Sequence, residues 1–107
     1  MREFPESDWK LYRKHIATWQ ENYMDKLNQE YIEILSQDIK PSSKFWEIEK
    51  RIRQDKRHPG VVVQMSRSTM LENIAIMVSD NVISMDDLEE FSDDLKEAVK
   101  LFVWGIR

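Results

Sequence analysis

The sequence predicts an all-α protein: a single small helical bundle of about four helices, with a long first helix. Three observations carry that prediction. Only 2 Gly and 3 Pro interrupt the 107 residues. Apolar residues recur at spacings of three and four, the period of one helix face. The stretches between these periodic segments are short, which makes an up-and-down arrangement the default. One domain over residues 1–107 is expected, since a chain of this length can build a core unaided.

The first helix lies within "FPESDWKLYRKHIATWQENYMDKLNQEYIEILSQ", Phe4 to Gln37, with Trp9, Tyr12, Ile16, Trp19, Tyr23, Leu27, Tyr31 and Ile34 on one stripe. Pro5 precedes it, and Ser7 or Asp8 is placed to cap it. About thirty uninterrupted residues make roughly 45 Å of helix at 1.5 Å per residue. "DIKPSS" is the first linker, with Pro41 as the stop and Ser42 or Ser43 as the next cap.

A second, shorter helix is expected from about Lys44 to Arg57, ended by "HPG" because Pro disfavours helical geometry in the residue before it. The third, from about Val61 to Ser79, carries Val62, Val63, Met70, Leu71, Ile74, Ala75, Met77 and Val78 and is expected to be the most buried. Its β-branched start, Val61 to Val63, is suited to extended chain as well. The fourth runs from about Met85 to Trp104, with Leu88, Phe91, Leu95, Val99 and Phe102 inward. Ser84 and Asp87 ahead of it form a capping-box pattern.

Composition excludes several functions. With no Cys there is no disulfide, thiolate metal site or Cys nucleophile. No apolar run approaches the ~20 residues of a membrane span, and "MREFPESDW" lacks the apolar region of a signal peptide. A soluble, cytoplasmic protein with no membrane partner is the expectation. His15 and His58 lie on different segments, without the i+3 or i+4 partner of a metal pair. Ser66 and Ser68 lack nucleophile-elbow glycines, and Gly60 and Gly105 cannot build a phosphate loop. No catalytic residue, cofactor or metal is assigned, and the chain is not expected to be an enzyme. A carboxylate-dependent enzyme ranks last among the readings.

"SDNVISMDDLEEF" resembles the closing half of an EF-hand calcium loop, with Ser84 at position 9 and Asp87 at position 12. The front half fails: positions 1 and 3 fall on Ile76 and Val78, and position 6 is Asn81 where the loop needs Gly. No calcium binding is expected. The same region has a helix, turn, helix rhythm, but its second helix would present carboxylates to a polyanion, so nucleic acid is disfavoured there.

Three surfaces remain as candidates for binding a partner. The aromatic stripe of the first helix, including Trp9, Tyr12, Trp19 and Tyr23, outruns the second helix, unless helices two and three lie end to end along it. On the second helix, Trp46, Lys50, Arg53 and Arg57 form a stripe that can stack on and neutralise an anionic ligand or nucleic acid. On the fourth, Asp86, Glu89, Glu90, Asp93, Asp94 and Glu97 form an acidic face with four like-charge i, i+4 pairs. That repulsion costs roughly 1–2 kcal/mol in all. The favoured reading is a protein–protein interaction module, a homodimer being one option, that self-associates through the first helix. The anionic-ligand binder is the alternative.

The stretches "KFWEIEKRIRQDKRHPGV" and "DNVISMDDLEEFSDDLKEAVKLF" resemble a group of small helical proteins from Gram-positive gut bacteria that has no assigned activity. The resemblance implies a bacterial, intracellular setting, with a mobile-element context as one option. It transfers no site residue.

Overall fold

A computed structural model describes residues 3–106; Met1 and Arg2, which open the N-terminal stretch read above, and Arg107 lie outside the described residues. Four helices follow one another as α1 (Glu6–Leu35), α2 (Pro41–Asp55), α3 (Met70–Ser79) and α4 (Asp93–Ile106), with 3₁₀ turns at Arg67–Thr69 and Met85–Leu88. The protein is all-helical with a long first helix, and no strand occurs among the described residues. It measures 52 × 27 × 23 Å with a radius of gyration of 16.3 Å. A compact chain of this length would give about 13 Å, so something protrudes.

The molecule has a body and an arm, and α1 belongs to both. In the body, Trp9, Tyr12, Ile16 and Trp19 of α1 share one core with Met70, Ile74, Ala75 and Met77 of α3 and with Ile83, Leu88, Phe91, Leu95 and Val99. Tyr12 is buried with its hydroxyl accepting from Asn73 Nδ2 at 3.2 Å, and burial raises its pKa above the usual tyrosine value. The arm is the second half of α1 with α2, which buries no residue. The second and third segments do lie end to end along α1, so Trp9, Tyr12 and Trp19 are core side chains. Each has less than a tenth of its surface exposed.

Helix starts are where the sequence reading needs most correction. Neither Ser7 nor Asp8 caps α1; Pro5 stands at that position, and the Asp8 N–H donates to its carbonyl at 2.9 Å. Asp8 turns inward, and its buried carboxylate accepts from the Ser92 N–H at 2.8 Å and the Ser92 hydroxyl at 2.5 Å. Ser92 Oγ accepts from the Leu95 N–H at 3.2 Å, capping α4. Pro41 does not stop a helix but opens α2, a position where its missing N–H is no loss.

Val61 to Ser66 is not helical. The β-branched run disfavours helix, and the topology requires extended chain there. Met70 and Arg67 lie beside Trp9, whereas His58, just past α2, packs on Tyr23. Those levels on α1 are 14 residues apart, about 21 Å. Six extended residues span about 20 Å, and six helical ones would reach less than half of that.

The fourth predicted helix is also broken. Met85–Leu88 is a 3₁₀ turn, and α4 begins only at Asp93. Leu88, Phe91, Leu95 and Val99 still point inward. The break divides the acidic residues, so that Asp86 and Asp87 sit in one first turn and Asp93 and Asp94 in another, where the helix dipole favours them. Of the four like-charge pairs expected on one helix, only Asp93–Glu97 lies within α4. The acidic residues therefore do not share the face of one continuous helix.

Candidate functional site

The hairpin formed by α1 and α2 is held by polar contacts along one side. The Tyr31 hydroxyl donates to Asp55 at 2.5 Å, and Arg51 donates to Glu30 at 2.7 Å while lying 3.6 Å from Asp55. The Arg51 guanidinium also sits 5.5 Å from the Tyr31 ring centre. Desolvation, followed by the hydrogen bond to Asp55, pushes the Tyr31 pKa up to about 12.

The end of α2 is locked onto α1 by "HPG". Gln20 donates to the Pro59 carbonyl at 3.0 Å, and the His58 ring packs 4.8 Å from Tyr23. Gly60 approaches the Tyr23 ring so closely that a Cβ would lie 2.5 Å from its Cδ2. The His58 ring also meets Asp80 at 2.7 Å and accepts from the Gly60 N–H at 2.9 Å. His15 stacks on Trp19, with centres 5.8 Å apart.

What the hairpin leaves open is an apolar groove of about 410 Å³ lined by Leu35, Phe45, Ile48 and Ile52, with Glu49, Arg53 and Lys56 on its rim. Phe45 is 65 % exposed and Leu35 50 %, and Ile32 and Ile39 nearby in the chain are exposed too. Glu49 and Arg53 are hydrogen-bonded to each other, which holds the Glu49 carboxyl below its ordinary pKa. This groove is not among the three surfaces that the sequence offered as candidates. Ile32, Leu35 and Ile39, spaced by three and four, were the available signal.

The other candidate residues disperse. Tyr23 is half-buried against His58 and is not free to bind. Trp46 is 63 % exposed and packs edge-on to Phe45, so it borders the apolar side chains of the groove. Lys50 and Arg57 are exposed, and neither makes an ion pair among the described residues, whereas Arg53 is occupied by Glu49. Asp86, Glu89, Glu90, Asp93, Asp94 and Glu97 are all exposed. Glu90 lies 3.8 Å from His15, Asp93 4.0 Å from Lys96 and Glu97 3.5 Å from Lys100.

In the calcium-like segment, Asn81 makes the turn with a φ of 60°, and Asp80 is taken by His58. Asp87 accepts from the Ser84 N–H at 2.8 Å, the return bond of a capping box, and also from the Ser84 hydroxyl at 3.3 Å. Among the described residues no group of three or more His, Cys, Asp or Glu is placed to hold a metal ion. None of their helices is long and apolar enough to cross a membrane. A second apolar patch, Leu101, Trp104 and Ile106, lies at the end of α4. No family model matches the chain, and no curated protein or solved structure matches it.

Proposed function

We propose that the protein is an interaction module that takes an amphipathic helical segment into the groove of the α1–α2 hairpin. One observation carries this reading: α2 buries no residue of its own, yet presents an apolar row, Phe45, Ile48 and Ile52, that lines a groove together with Leu35. Isolated helices of about fifteen residues are marginal in water, and most gain their stability by packing an apolar face. A partner helix laid in the groove supplies that packing through anchors at helical spacing. The α4 patch supports the reading less well, since α4 already buries Leu95, Ala98 and Val99.

The test is photo-crosslinking in the native host, with a benzophenone side chain at position 45 and, as a control of similar exposure, at position 62. Adducts at 45 and none at 62 are expected. No adduct at 45 refutes the reading. The anionic-ligand alternative draws on exposed Trp46, Lys50 and Arg57, and predicts instead a salt-sensitive ligand lost in Trp46→Ala while Phe45→Ser retains it.

A further inference from the structure

Resting on the groove reading, this inference names its occupant. We propose that a second copy of this chain fills the groove, two α1–α2 hairpins packing antiparallel about a two-fold axis so that Glu49 of each copy faces Arg53 of the other. Domains are built from at least two packed layers, and the hairpin is a single layer. Another hairpin completes a four-helix bundle without any further component.

The charge pattern selects the direction. Among the residues that line the groove, the acidic Glu49 comes first on α2, Arg53 follows one turn later, and Lys56 lies just past the helix end. Antiparallel apposition sets opposite signs against each other, and parallel apposition sets like signs together. Two-fold symmetry needs a self-complementary patch, in which residue i meets j and j meets i; the Glu49 and Arg53 positions have that property.

With those two paired, the axis passes near Ile52 and gathers Ile48 and Ile52 of both copies around it. Phe45 of one copy then meets Lys56 and Arg57 of the other, cation against ring. In the single chain Arg53 is hydrogen-bonded to its own Glu49. Association exchanges two exposed intrahelical pairs for two that are flanked by apolar side chains.

Sedimentation equilibrium on the purified chain and two variants, Glu49→Arg and Arg53→Glu, decides the matter. Wild type should pass from monomer to dimer as concentration rises, and each variant should associate at least ~10-fold more weakly, since four like charges then meet at the axis. An equimolar mixture of the two should recover a heterodimer, because its cross-axis pairs are again opposite in sign. Circular dichroism should show all three chains folded, both substitutions being at the surface. Wild type that stays monomeric at millimolar concentration, or a mixture no tighter than its components, overturns the proposal. If wild type is monomeric while position 45 crosslinks to other proteins, the second copy is refuted and the groove reading stands. With no adduct at 45, both fall.

Discussion

The two halves of α1 have nearly the same length but are held in different ways. Its first half buries Trp9, Tyr12, Ile16 and Trp19 against α3 and α4, whereas beyond Trp19 only Leu27 is buried. The body is therefore stabilised by apolar burial, at about 25 cal/mol per Å² removed from water. The arm relies on Tyr31–Asp55, Arg51–Glu30 and the Gly60–Tyr23 contact, and exposed or half-exposed polar pairs contribute about 0–1 kcal/mol each. One helix thus joins a self-sufficient core to an arm that holds its shape through polar contacts while its apolar groove stays open. An arm built this way is suited to docking.

Substitutions in the two regions should differ in both size and reach. The largest effect is expected for Trp19→Ala, which removes the largest type of side chain from the core of the body; denaturant unfolding should show a loss of about 3–5 kcal/mol, felt across the whole chain. Asp8→Ala should come next, at about 1–3 kcal/mol, because it leaves the part-buried Ser92 N–H without its acceptor. Amide exchange should then quicken at Ser92 and Leu95 and stay unchanged in α2.

Gly60→Ala sharpens the comparison from the arm side. Its Cβ must displace the Tyr23 ring, which is itself packed on His58, and overpacking of this kind costs roughly 1–3 kcal/mol. Amide exchange should quicken first in α2, with the body protected. Equal acceleration in both regions would show that arm and body unfold as one unit.

Tyr31→Phe should cost less, about 0.5–1 kcal/mol. It also carries a pH signature. The folded pKa is raised to about 12 from 10.0, so the folded state holds the proton more tightly. The contribution is present in full below pH 10 and lost as pH rises from 10 to 12, where the unfolded chain deprotonates first. Burial raises Tyr12 and Tyr23 as well, so the difference between wild type and Tyr31→Phe over that window isolates Tyr31. The smallest effect belongs to Phe45→Ser, within about 0.5 kcal/mol on the monomer at low concentration, as expected of an exposed side chain.

The sequence by itself determined the class of fold, because helical period and the scarcity of breakers are local properties. It also placed Ile74, Leu88, Leu95 and Val99 inward, and the Ser84–Asp87 pairing followed from a spacing of three. Tertiary structure decided what depends on distant partners. Asp8 looked like a cap for its own helix, but Ser92, 84 residues away, claims its carboxylate. Val61 to Ser66 had to be extended because α3 starts near Trp9 and α2 ends near Tyr23. The aromatic stripe became core and the groove became surface for the same reason: periodicity shows that a helix has an apolar face, and only the positions of the other helices determine whether that face is covered.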